Sequence, residues 1–143
     1  ELPMTLVETS ALRSHERTWS FMNERTIDDI VDVERYGDTA IATLRERMDA
    51  FNAPLLIEAF DLLLDSGITR FIIDLSAVRI VDADGDFPLL HLLKCTKTTD
   101  CTVTLVCPAG NPVRIFYEMM HLDTLFTMAS TLDSALAATE LIP

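Results

Sequence analysis

The segment Arg70-Phe71-Ile72-Ile73-Asp74-Leu75 constrains this chain more than any other, because a strand-length apolar run is bracketed there by charged residues. Such a run reads as a strand buried on both faces. A doubly buried strand requires cover above and below, and single helices between strands are the usual way to supply it. The sequence on either side has that form.

Upstream, Ile30-Val31-Asp32-Val33-Glu34 alternates, stops at Tyr36-Gly37-Asp38 and resumes as Thr39-Ala40-Ile41-Ala42-Thr43-Leu44, which predicts a hairpin. Residues 45–49 read as a polar connection. Asn52-Ala53-Pro54 then has the form of a helix start, with Asn52 as N-cap and proline tolerated in the first turn. Leu56, Ala59 or Phe60, and Leu63 make its apolar face, and Gly67 supplies a stop. Downstream, an apolar helix is expected from Phe87 to about Lys97, with Leu89, Leu90 and Leu93 inward. Residues 102–107 read as a strand. Asn111-Pro112 repeats the cap-plus-proline start, followed by an apolar stripe of Ile115, Phe116, Met119 and Met120. A short strand is expected at 125–128, and Ser130 to Asp133 has a capping-box pattern opening a last helix through Leu136. The order β-β-α-β-α-β-α-β-α predicts an α/β fold. Its mixed sheet is layered with helices, with parallel neighbours and one antiparallel edge.

At 143 residues one domain is expected, residues 28–143, preceded by an N-terminal extension, residues 1–27. Within the extension, Leu12, His15, Trp19 and Met22 fall at helical spacing, as in a short amphipathic helix or an arm covering an apolar patch. The formal charge of −12, with eleven scattered basic residues, argues against nucleic acid and anionic membrane surfaces as partners. No stretch approaches the roughly 20 apolar residues that span a bilayer, and no secretory signal is visible, so a cytoplasmic protein without membrane insertion is expected. Cys95, Cys101 and Cys107 lack C-x-x-C spacing, and His15, His91 and His121 lack H-E-x-x-H spacing. Reduced thiols and no zinc site follow from that pattern.

The oddest wording is Asp82-Ala83-Asp84-Gly85-Asp86-Phe87-Pro88, between the buried strand and the next helix. A D-x-D-G-D run resembles the start of a calcium loop. An EF-hand would need Gly at its sixth position and Glu at its twelfth, which here are Phe87 and Leu93. No Lys, Ser or Thr is placed to complete a magnesium phosphotransfer site, and no glycine-rich phosphate loop exists. No metal site and no catalytic residue are therefore expected from the residues, and no enzyme.

Taken together, several short motifs resemble the STAS domain of bacterial anti-sigma factor antagonists. They are Leu44-x4-Asp49 before a helix with an early proline, Ile73-Asp74-Leu75-Ser76 leading to Val81-Asp82-x-x-Gly85, Pro112-Val113-x3-Phe116, and Leu122-x2-Leu125-Phe126 with Ala135-Leu136. The resemblance spans residues 30–140. It implies a non-catalytic, cofactor-free protein that binds an anti-sigma factor with a kinase-like ATPase fold in a partner-switching pathway of transcription regulation. It also implies a partner-binding turn at Asp82, Ala83, Asp84, Gly85, Asp86 and Phe87. The family's kinase phosphorylates a Ser or Thr directly after the turn's Asp, and here that position is Ala83, so the usual phospho-switch is expected to be absent. Asp84 and Asp86 either partially mimic a phosphate or simply stabilise the first helical turn. Ser76 and Thr96 are hydroxyls elsewhere. His121 stands where the family commonly ends a helix with Gly. An alternative is a STAS scaffold subunit that forms a homo-oligomer or docks on a transporter ATPase. Nucleotide binding by the turn is a weaker third reading.

Overall fold

The computed structural model describes residues 27–138. A short helix, α1 (Ile27–Ile30), leads into the hairpin β1 (Val31–Tyr36) and β2 (Thr39–Leu44). A three-residue strand β3 (Glu46–Met48) follows, then α2 (Ala53–Asp65), β4 (Arg70–Asp74) and β5 (Val78–Val81). A 3-10 turn (Asp84–Asp86) runs directly into α3 (Phe87–Lys97), then β6 (Thr102–Val106), α4 (Pro112–Met119), β7 (Thr127–Ala129) and α5 (Leu132–Ala138). The N-terminal segment expected as a short amphipathic helix after Ser10 or as an arm lies outside the described residues.

The main sheet has the order β1-β2-β4-β6-β7, with β1 and β2 antiparallel and every other pair parallel. The mixed sheet with one antiparallel edge is thus as expected. Alternation along β4 splits its apolar run between two layers. Phe71 and Ile73 face the larger core with Phe60, Leu63, Leu89 and Tyr117. Ile72 faces the opposite side with Ile41, Val106 and Ala135 of α5. Helices α2 and α3 pack side by side on the larger core.

Five local expectations need correction. The polar stretch 45–49 contains β3, and the connection after β4 contains β5. These pair in parallel as a second sheet of two strands, with a register shift between Glu46 and Arg47. Short strands with charged alternate residues carry no visible period of their own. Asn52 does not cap α2 through its side chain. Asp49 instead accepts from the N–H groups of Phe51 and Asn52, both at 3.1 Å, while Asn52 Nδ2 donates to the Arg47 carbonyl at 3.0 Å. The short strand after α4 is shifted from 125–128 to Thr127–Ala129. The last helix is capped one residue later than expected, Thr131 Oγ1 accepting from Ser134 N–H at 3.1 Å.

The fifth correction bears on function. Ile115, Met119 and Met120 are 47%, 72% and 54% exposed, so the stripe expected to be core faces outward. The buried side of α4 is Val113 and Tyr117. Other helix ends are as read. Asn111 caps α4 by accepting from Val113 and Arg114 N–H. Gly67 and His121 both adopt positive φ, +96° and +59°. Each closes its helix with a matching pair of hydrogen bonds, Ile68 N–H to Leu63 O with Gly67 N–H to Leu64 O, and Leu122 N–H to Tyr117 O with His121 N–H to Glu118 O. This is the Schellman ending, and a histidine completes it as the glycine does.

Candidate functional site

The small β3–β5 sheet is the platform for the acidic turn. Met48 is paired with Val81, and the Asp82 N–H donates to the Met48 carbonyl at 3.2 Å. The Asp82 carboxylate then accepts the Gly85 N–H at 2.7 Å, which caps the 3-10 turn from within the motif. Ala83 and Asp84 stand exposed between these anchors. Gly85 is required by space. A Cβ there would lie 1.7 Å from the Met48 carbonyl oxygen and 2.4 Å from the Asp49 nitrogen, both backbone atoms. The turn is therefore pressed against β3 at one glycine, with its next two side chains pointing apart.

Asp86 points inward and is 2% exposed, so its expected place on the partner-binding surface is corrected. Its carboxylate accepts a hydrogen bond from the Tyr117 hydroxyl of α4. Burial raises the Asp86 carboxyl above its ordinary value, and the Tyr117 bond opposes that only in part. Tyr117 is itself held far above the ordinary phenol value by burial first and by Asp86 second. Sequence reasoning missed Tyr117. The only available signal was the spacing Val113-x3-Tyr117, one helical face, which the louder stripe of Ile115, Phe116 and Met119 concealed.

Phe87, the next residue, is 59% exposed. It lies on a groove of about 580 Å³ between the N-terminal halves of α2 and α3. Ala53, Pro54 and Ile57 form one wall and Phe87, Leu90 and Lys94 the other, with Asp84 on the rim. A second exposed aromatic, Phe51, at 71%, sits just before α2. His91 also reaches the groove, with Nε2 2.8 Å from Asp61 Oδ1. The site thus combines a hydrogen-bonded turn, two exposed carboxylates and an apolar channel lined by the aromatic Phe87. Aromatic anchors in apolar pockets ringed by polar groups are what protein-binding hot spots use.

The other candidates are placed elsewhere. Ser76 is exposed and its hydroxyl donates to Asp74 at 2.6 Å, whereas the Thr96 hydroxyl donates to the Leu93 carbonyl within α3. Cys107 is buried and burial pushes its thiol up to about 12, while Cys95 and Cys101 are partly exposed. Among the described residues no cluster of His, Cys, Asp or Glu is arranged to hold a metal ion. No helix among them is long and apolar enough to cross a membrane.

Fold and site together define a small layered α/β domain whose distinctive surface is a glycine-seated strand-to-helix corner. The chain belongs to the STAS domain family, whose model matches residues 31–135. No curated protein matches the sequence. Among solved structures it is similar to a Thermotoga maritima protein described as an anti-sigma factor antagonist, at 21% identity and a TM-score of 0.69, over 77% of this chain and 94% of that one. It is also similar to an anti-sigma factor antagonist from Mycobacterium paratuberculosis, at 27% identity and a TM-score of 0.64, over 77% and 92%. A sulfate transporter family protein from Wolinella succinogenes matches at 16% identity and a TM-score of 0.63, over 76% and 89%.

Proposed function

We propose that this protein is a non-catalytic anti-sigma factor antagonist that docks an anti-sigma factor of kinase-like ATPase fold through the 82–87 corner and the α2–α3 groove. The observation that carries this reading is Phe87, a large apolar side chain left exposed where a capped turn meets an apolar channel. Similarity to an anti-sigma factor antagonist supports an anti-sigma factor as the partner. Ala83 is exposed and has no hydroxyl; the resemblance aligns it with the family's phosphorylated residue, so on this reading docking is not controlled by phosphate there.

The test is binding to kinase-like anti-sigma factors from the same organism. Wild type should bind, Phe87→Asp should weaken binding by at least about tenfold, or 1.4 kcal/mol, and Met119→Asp on α4 should leave it unchanged. Absence of binding, or indifference to Phe87→Asp, overturns the reading.

A second reading has its own observation. Ile115, Met119, Met120 and Leu125 are all exposed, on α4 and the segment after it. That surface supports a scaffold subunit that self-assembles or docks on a transporter ATPase. A homo-oligomer in light scattering that is lost in Met119→Asp would favour it.

A further inference from the structure

Asp86 and Phe87 are adjacent, and each lies on the side that its chemistry disfavours: the carboxylate is buried and the phenyl ring is exposed. We infer that Tyr117 of α4 is the positioning residue of the docking corner, holding Asp86 inward and thereby Phe87 outward. The consequence for partner binding rests on the docking reading above; the placement of Phe87 does not.

The inverted placement has a cost that local structure does not offset. Asp86 stands at the N-cap position of α3, where an aspartate ordinarily accepts an N–H of the first turn. Its side chain makes no such bond. A carboxylate taken from water and left without a partner is strongly destabilising, and a large apolar side chain gains by leaving water. Solvation alone would therefore turn Asp86 out and Phe87 in. Among the described residues, the Tyr117 hydroxyl is the one group that hydrogen-bonds the Asp86 carboxylate. The bonds of Asp82 to Met48 and Gly85 seat the start of the turn on β3, and they stop short of residues 86 and 87.

Tyr117 is itself held in place. It is fully buried, and its ring packs on Phe126 at a centroid separation of 5.6 Å and on Phe116 at 6.0 Å. Its carbonyl accepts the Leu122 N–H at 2.8 Å, in the closing turn of α4. At the other end of the helix, the cap residue Asn111 donates through Nδ2 to the Leu75 carbonyl at 3.0 Å, which ties α4 to the residue after β4. The phenol oxygen thus meets the turn from a fixed helix.

The link from Asp86 to Phe87 is geometric. Both have right-handed helical backbone, with φ and ψ of −79° and −17° at Asp86 and −52° and −44° at Phe87. Successive residues of a helix are turned by about 100° around its axis. A carboxylate pinned to α4 therefore leaves the next side chain facing away from α4, on the α2–α3 side where Phe87 is found.

The test first reads residue 87 in the free protein. In a Trp19→Phe background, Phe87→Trp leaves one indole, at the corner. Its emission should be that of an exposed indole, open to a soluble quencher. Adding Tyr117→Phe should shift the emission to the blue and lower the quenching, as Asp86 turns to water. Adding Asp86→Leu to Tyr117→Phe should restore the exposed signal, because an apolar residue 86 stays inward unaided. Asp86→Asn still accepts from Tyr117 and should leave the signal as it was. Asp86→Lys, whose cation cannot stay buried, should reproduce the effect of Tyr117→Phe with Tyr117 untouched. With Trp19 and Phe87 in place, Tyr117→Phe should weaken binding to the kinase-like anti-sigma factor about tenfold per folded molecule, since only the outward fraction binds. Tyr117→Phe/Asp86→Leu should recover it. An indole equally exposed in Tyr117→Phe and Asp86→Lys overturns the inference and leaves the docking reading standing. So does shielding in Tyr117→Phe that Asp86→Leu does not reverse. A signal that follows the inference, while binding is absent or is unchanged in Tyr117→Phe, overturns the docking reading and keeps the positioning role.

Discussion

Asp49 and Asp86 are the two carboxylates buried among the described residues, and their surroundings push them in opposite directions. Burial alone would raise Asp49, but Arg47 at 2.6 Å and the N–H groups of Asn52 and Phe51 outweigh it and hold the group below its ordinary value. The stability it contributes is present above the unfolded carboxylate value and lost as pH falls through its folded one. Asp86 has the opposite sign. Its folded carboxyl holds a proton more tightly than the unfolded chain does, because burial outweighs the Tyr117 bond. Stability from this group is therefore greatest below about pH 4 and falls as pH rises through its raised folded value. Asp86→Asn should flatten that fall, seen as a smaller loss of unfolding free energy between mildly acidic and neutral pH. Tyr117→Phe should destabilise the protein by about 1–3 kcal/mol at neutral pH, since a buried acceptor loses its donor. It should also steepen the fall, because the lost bond had lowered Asp86. Denaturant titrations across a pH series check both variants.

At the scale of elements, the corner works because β3, β5 and the 3-10 turn are fitted to one another at Gly85. Gly85→Ala would force Cβ into the Met48–Asp49 peptide, and backbone cannot swing aside as a side-chain tip can. The expected cost is about 1–3 kcal/mol or more, read as a lower unfolding midpoint. Partner binding should be weakened by more than the fraction unfolded explains, because Phe87 is displaced with the turn. The main sheet was legible in the sequence because Phe71, Ile72 and Ile73 state its buried centre and the hairpin alternates cleanly. Gly67 and Asn111 were legible because cap chemistry is local, and His121 because the family resemblance marks a helix end there. The β3–β5 platform was not, since a three-residue strand bearing Glu46 and Arg47 has no period to detect. The corner's location was readable from wording alone, but the direction of each side chain was not. Asp86 reads as one more surface acid, and only its packing under α4 reveals the Tyr117 partner. The α4 stripe misled for the converse reason. Ile115, Met119 and Met120 satisfy a core pattern, yet the interior beneath that helix is already filled by Val113 and Tyr117.

For the molecule as a whole, a net charge of −12 sets the background against which a phosphate at the turn would act. A phosphate on residue 83 would add about −1.5 to −2 charges between the exposed carboxylates Asp82 and Asp84, beside the groove that holds Phe87. Such a group would repel an approaching acidic surface and crowd the channel mouth. Ala83 carries no hydroxyl, so residue 83 itself cannot take phosphate. Wild type incubated with ATP and a cognate kinase-type partner should show no phosphate on residues 82–86 by mass spectrometry. Ala83→Ser should acquire it, because the exposed backbone at that position already presents a side chain outward. Binding should then fall about tenfold, or 1.4 kcal/mol, on phosphorylation. Phosphate on wild-type Ser76 that changes binding would place the switch one strand earlier, on a hydroxyl now engaged with Asp74. An unmodified wild type together with a modified, weakened Ala83→Ser would show that the docking surface is intact and only its phosphate acceptor has been exchanged.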